Sequence, residues 1–200
     1  MNADQVAALR ALLAPTGWVD RTAGFARALT ARTPNGLLVI GPQAAEPWHM
    51  TAHLADESRL ADLPGLAPTL VRWAPPPGAP PHLSVGVDRL RAASRGETLL
   101  VVSQALAPAE LLERVLDVRR IGVTVFALDQ DDPELDGLAH ESLPVPADAS
   151  PLSFDAAQHL VSTAVGEDQD GRPPGGRHRS GSMRTRLARL LDAVSGSAPD

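Results

Sequence analysis

Two histidines four residues apart, His49 and His53, are the side chains whose spacing is best suited to chemistry. On a helix that spacing stacks both imidazoles on one face, where they could chelate a divalent metal, with Asp56 one turn further along the stripe. No glutamate follows His49, so this is not the zinc-protease pattern His-Glu-x-x-His. The plainer alternative packs one ring in a subunit interface and leaves the other in water. Glu46, just upstream, is a carboxylate available for acid–base work, although at a helix start it more simply offsets the helix dipole. The chain has no Cys and no Tyr, and all 18 of its basic residues are Arg. Thiolate ligands and nucleophiles, Schiff bases, P-loop lysines and tyrosine acid–base chemistry are thereby excluded.

The histidines follow an apolar run, Leu37 to Ile40, that ends at Gly41. This order predicts a buried strand, a glycine turn and a helix from Glu46 or Pro47 through Leu60, with backbone N–H groups gathered at the carboxyl edge of a sheet. Upstream, helices are expected over Asp4–Leu13 and Thr22–Ala31. Downstream, the pattern reads as a strand Thr69–Trp73, a stiff proline-rich connection Ala74–His82 that cannot be helical, a helix Val85–Ser94 and a strand Thr98–Val102. A helix opening near Pro108, with Leu111, Leu112, Val115 and Val118 on one stripe, ends at Gly122. A strand Val123–Leu128, a short helix near Pro133–Ala139, an edge strand Ser142–Val145 and a last helix capped by Ser150 or Ser153 complete the domain. Strands alternating with helices require crossovers, which predicts an α/β fold: a three-layer, doubly wound parallel sheet of about five strands.

Lesser candidates have plainer readings. Asp129, Asp131, Asp132, Glu134 and Asp136 lack the glycine and terminal glutamate of a calcium loop and read as a solvated acidic loop. His140 reads as a surface residue. His82 with Trp73, Pro80 and Pro81 could form a rigid apolar wall, and Arg72 or Arg119-Arg120 could meet an anion.

Residues 1–171 hold 12 Arg against 22 acidic residues, a net of −10, whereas residues 172–200 hold 6 Arg against 2, a net of +4. An acidic body is a poor nucleic-acid binder. No apolar run is long enough to span a bilayer and no leader is evident, so a cytoplasmic protein is expected. The expected organisation is an α/β domain over 1–167, a disordered Gly/Pro/Arg-rich linker over 168–182, and a basic amphipathic helix and tail over 183–200. In that helix Met183, Leu187, Leu190, Leu191 and Val194 share a side that could dock on an acidic protein partner, on the acidic body of a neighbouring subunit or on anionic lipid, the plainer reading being a solubilising tail with a marginal helix.

Taken in order, Gly96-Glu-Thr-Leu-Leu-Val-Val-Ser103, Arg119-Arg-Ile-Gly-Val-Thr-Val-Phe-Ala-Leu128, Leu138-Ala-His-Glu-Ser-Leu-Pro-Val-Pro146 and Phe154-Asp-Ala-Ala-Gln-His-Leu160 resemble the sugar isomerase (SIS) domain family, nearest to its standalone phosphoheptose isomerase branch. The resemblance covers roughly residues 20–166. It implies a homodimer or tetramer with a shared site, ligand contacts from Gly41, Gln43, Ser103, Gln104 and Gln158, and His53 as base with His159 as acid, Glu46 being a spare carboxylate. His49 matches a family histidine, and His53 stands where the family has glutamate. The family's phosphate loops are rich in glycine and hydroxyls. Here they are Gly41-Pro-Gln-Ala-Ala-Glu46 and Ser103-Gln-Ala-Leu-Ala-Pro-Ala109, with two prolines lacking donors and one hydroxyl remaining. The leading expectation is therefore a SIS-like protein that binds a sugar derivative or related small metabolite, with altered isomerase activity. The alternatives are a non-catalytic assembly or regulatory module and a histidine metal-site enzyme using a divalent metal.

Overall fold

Leu37, Leu38, Val39 and Ile40 are all apolar because both faces of the strand they form are covered, and successive side chains enter opposite layers. A computed structural model describes residues 3–148 and 152–166. In it, β1 (Leu37–Ile40), β2 (Pro68–Leu70), β3 (Thr98–Ser103), β4 (Thr124–Asp129) and β5 (Glu141–Pro144) form one sheet in the order β2-β1-β3-β4-β5, with every pairing parallel. Leu37, Val39, Leu100, Val102, Phe126 and Leu128 face one layer, made by α1 (Ala3–Leu13), α2 (Trp18–Ala31), α3 (Trp48–Leu60) and α7 (Phe154–Val165). Leu38, Ile40, Leu99, Val101, Val125 and Ala127 face the other, made by α4 (Asp88–Arg91), α5 (Ala109–Arg120) and α6 (Pro133–Leu138). The expected three-layer, doubly wound architecture is present.

Each helix is held by the stripe its sequence carries. Met50 and Leu54 seat α3 on the sheet with no exposure at all, a burial worth roughly 1.5–3 kcal/mol for each side chain. Phe25 of α2 meets Phe126 of β4 edge to face, ring centroids 5.4 Å apart. Ser153 caps α7 by accepting the Ala156 N–H at 3.1 Å. Of the two caps expected, Ser150 lies outside the described residues, as do the linker 168–182 and the helix 183–194.

The chain leaves β1 toward the α3 layer and β3 toward the α5 layer, so the order reverses between these neighbouring strands. In open α/β sheets the crevice at such a reversal is where ligands bind. The tips after Ile40 and Val102 do meet: a side chain at Gly41 would put its Cβ 2.6 Å from the Val102 carbonyl oxygen, so only glycine fits.

Several expectations need correction. The second strand stops at Leu70, two residues after which the Arg72 N–H turns to the Val85 carbonyl at 2.9 Å. That same bond keeps Val85 and Gly86 extended, so the helix expected over Val85–Ser94 shrinks to the single turn of α4. Within the proline-rich connection, Pro81–Leu83 forms one 3₁₀ turn, which proline permits at its first position. Pro47 caps α3 from outside rather than starting it. The acidic stretch is solvated only at Asp131, Glu134 and Asp136. Asp129 and Asp132 are buried, Asp132 receiving the N–H groups of Glu134 and Leu135 at the start of α6 and that of Ala107 at 2.6 Å.

Candidate functional site

The stripe on α3 and the middle of α7 bring three imidazoles together. His49 and His53 stand one turn apart on α3, and α7 packs alongside so that His159 enters between them. Their ring centroids form a near-equilateral triangle with sides of 4.6, 4.7 and 4.4 Å. His49 Nε2 and His159 Nε2 are 3.2 Å apart, and one ring nitrogen from each residue lies within 4.8 Å of the others. His49 is exposed, His53 half-buried and His159 buried. The cluster therefore has an open side toward solvent and a closed floor.

Burial and mutual repulsion disfavour the charged form of His53 and His159. Burial lowers the His159 pKa from 6.5 to about 4, assisted by repulsion from His53 and His49 and partly opposed by Asp155 one turn away. His53 is also lowered, first by burial and then by His49, with Asp56 opposing. Neutral imidazole is the form that donates a lone pair to a metal. Nitrogen donors around a tetrahedral zinc are about 3.3 Å apart at zinc–nitrogen distances of about 2.0–2.1 Å, close to the shortest separation in this cluster. Three histidines with a solvent-facing fourth side also match the ligand count of catalytic zinc sites, and Asp155 and Asp56 are carboxylates near enough to influence the rings. The residues fit a zinc-class ion.

The crevice between β1 and β3 is built differently. The Gly41 carbonyl accepts the Trp73 indole N–H at 2.8 Å. Glu46 is committed on both oxygens: Oε2 accepts Arg72 Nε–H at 2.9 Å and Oε1 accepts the Trp73 backbone N–H at 3.1 Å. Arg72 stacks its guanidinium over the Trp48 ring at 4.5 Å. Across the crevice, the Ser103 hydroxyl turns inward to the Ala105 carbonyl at 2.6 Å and is almost wholly buried. The nearby Ala107 N–H goes to Asp132. The Ser103 hydroxyl, the Ala107 N–H and both Glu46 oxygens are thus already paired within the chain.

The structure thus brings His49, His53 and His159 into one cluster, with Gln158 beside it on α7, buried and donating to Asp155 at 3.2 Å. Glu46 is held instead by Arg72 and Trp73. Gln43 and Gln104 lie exposed on the two loops, and Gly41 and Ser103 form the crevice floor. The sequence reading missed the partnership of Glu46 with Arg72 and Trp73, which are 26 and 27 residues away and carry no local signal. Asp155 was also missed, although its place one turn before His159 was visible in the sequence. His140 is exposed but not idle: its Nδ1 accepts the Val125 N–H at 2.9 Å. Among the described residues no helix is long and apolar enough to cross a membrane.

No protein-family model and no curated protein matches this sequence. Solved structures do match its fold. The sugar isomerase domain of the RpiR transcription factor from Sphaerobacter thermophilus is 12% identical, with 75% of this chain and 82% of that one covered and a TM-score of 0.52. A protein from Silicibacter pomeroyi named "putative phosphosugar isomerase" is 16% identical over 92% of this chain, also at a TM-score of 0.52. The present chain spans about half, 51%, of that protein's length. At these identities the agreement is one of fold: the chain has the fold of the sugar isomerase domain.

Proposed function

We propose that this protein holds a divalent metal of the zinc class on His49, His53 and His159 and uses the site to bind a sugar derivative or related hydroxylated metabolite, with isomerase-type turnover. The convergence of three imidazoles from two helices supports this reading, because clustered titratable groups with perturbed pKa values mark functional-site candidates. A bound ion would polarise a substrate carbonyl or hydroxyl there. The resemblance would make His53 a base and His159 an acid, but rings that ligate a metal are not free to carry protons. The metal reading takes precedence because it accounts for all three.

The closed crevice favours an unphosphorylated ligand. With the Ser103 hydroxyl and the Ala107 N–H internally paired, and Glu46 and Asp132 placed beside them, a phosphate dianion would lose two donors and meet two carboxylates. Each charge-assisted bond so forgone is worth roughly 1.5–3 kcal/mol. Two copies sharing the site, as the resemblance implies, belong to the same proposal and are testable by sedimentation.

Thermal denaturation separates the possibilities. Zinc or nickel at about 100 times its dissociation constant should stabilise the fold by about 2.7 kcal/mol, or roughly 5–10 °C for a domain of this size. His49→Ala, at an exposed position, should abolish the shift without lowering the metal-free Tm. An unchanged Tm across zinc, nickel and cobalt would overturn the metal site. A second reading, a non-catalytic assembly module, draws on the internal pairing of both crevice loops; it predicts no response to either metals or sugars.

A further inference from the structure

We infer that Arg32, Arg119 and the Nε2–H of His140 form a binding site for a small oxyanion of the phosphate class, on the edge of the sheet opposite the β1–β3 crevice. It shares no residue with the histidine cluster and does not depend on a metal there.

The sheet gathers these groups. Its strands are all parallel, so the segments that lead into them meet at one edge. Arg32 closes α2 at that edge, and its carbonyl accepts the hydroxyl of Thr98, the first residue of β3. Thr98 is in register with Thr124, the first residue of β4, and Val125 follows. His140, just before β5, is joined to Val125 twice. Its N–H donates to the Val125 carbonyl at 2.8 Å, and its Nδ1 accepts the Val125 N–H at 2.9 Å. Arg119, in the last turn of α5, donates from Nη1 to the carbonyl of Gly137 in α6 at 2.7 Å.

These bonds fix the tautomer of the ring. A backbone N–H can only donate, so Nδ1 of His140 carries no proton and the neutral ring holds its proton on Nε2. Burial lowers the His140 pKa, and the charges of Arg119 and Arg32 lower it further, against a smaller opposing effect of the Val125 backbone. The ring is exposed, and its Nε2–H has no partner among the described residues.

Neither Arg32 nor Arg119 pairs with a carboxylate among the described residues. Each offsets the negative end of a helix dipole, which accounts for its charge. That role does not require two unpaired guanidinium groups to act on one ring. Together they raise the local potential, and a bound oxyanion lowers it. The nearest carboxylates in sequence do not supply the charge: Asp136 accepts the Ser142 hydroxyl, and Glu141 follows His140 on the alternate face of the edge strand. A guanidinium fork matches two oxygens of such an anion, and the imidazole N–H serves a third.

NMR of the side-chain nitrogens in the full chain, with a chelator present, tests the site. Phosphate replacing chloride at matched ionic strength and neutral pH should shift the His140 Nε2, Arg119 and Arg32 signals along one saturable curve. Arg119→Gln and Arg32→Gln, both on the surface, should each weaken binding by about tenfold, the effect of one lost charge-assisted hydrogen bond, with the Val125 amide signal in place. Signals that respond to phosphate no more than to chloride would overturn the proposal. So would saturable binding that both variants retain, since the anion would then sit elsewhere. Shifts at His49, His53 and His159 in place of His140 would also overturn it, by moving the anion to the histidine cluster.

Discussion

The histidine cluster and the β1–β3 crevice lie on the same domain and treat their polar groups in opposite ways. In the crevice, the Gly41 carbonyl, both Glu46 oxygens, the Ser103 hydroxyl and the Ala107 N–H are paired within the chain. In the cluster, three imidazoles face one another, and among the described residues the one contact between them at hydrogen-bond distance is His49 to His159. A set of donors and acceptors that already satisfy one another is architecture. Three ring nitrogens gathered within 4.8 Å of one another are a candidate for binding. The groups at the β1–β3 crevice are thus part of the scaffold, whereas the clustered imidazoles on α3 and α7 carry the proposed site.

That contrast can be broken in several ways. The largest effect is expected from the metal itself, a rise of roughly 5–10 °C with zinc that His53→Gln and His49→Ala each remove. Next is Gly41→Ala. Its methyl would meet the Val102 carbonyl at 2.6 Å and the Ala45 carbonyl at 3.0 Å, both backbone, so the loop must shift at a cost of about 1–3 kcal/mol, read as a fall in denaturation midpoint. A fully tolerated alanine would show the crevice to be open and adjustable, and would erase the difference between the two regions.

Glu46→Gln should cost about 2 kcal/mol. The Arg72–Glu46 pair is largely shielded, with side chains 16% and 11% exposed, and neutralising one partner leaves the other's charge partly stranded against the Trp48 ring. If this change instead eliminated metal binding with the fold intact, Glu46 would belong to the site rather than to the scaffold.

Acid should act in opposite senses through His159 and Asp129. The His159 pKa is lowered in the folded state, so without metal the cluster's share of stability is complete above pH 6.5 and is lost as pH falls toward about 4. Asp129 is raised above its usual 3.8, chiefly by burial and then by the charges of Asp132 and Asp136. Its contribution is complete below pH 3.8 and is lost as pH rises through the folded value. Its Oδ2 has no hydrogen-bond partner among the described residues, which is the structural form of the same cost. Asp129→Asn should flatten that part of the stability–pH curve, the smallest of the expected effects; an unaltered curve would show the carboxyl to be solvated.

Much of the scaffold was legible in sequence because it rests on short-range pattern. Strands β1, β3 and β4 announce themselves as apolar runs bounded by glycine, and α5 and α7 as stripes at helical spacing. Errors fell where a distant bond overrode the local preference. Arg72 pairing with Val85 shortened both β2 and α4, and the Asp132 carboxylate was drawn inside by the N–H of Ala107, 25 residues away. At the site, the i, i+4 spacing of His49 and His53 was visible, and the resemblance suggested His159 as a third member.

The sequence alone determined the layered parallel architecture, the order of its elements and the composition that excludes thiolate, lysine and tyrosine chemistry, because periodicity and residue type are local properties. Tertiary structure alone decided that His159 stands 3.2 Å from His49 across 110 residues, and that Glu46 is bound to Arg72 rather than free. Both depend on how α3 packs between α7 and the loop after β2. Packing is set by the summed burial of many side chains, a quantity that no single stretch of the chain contains.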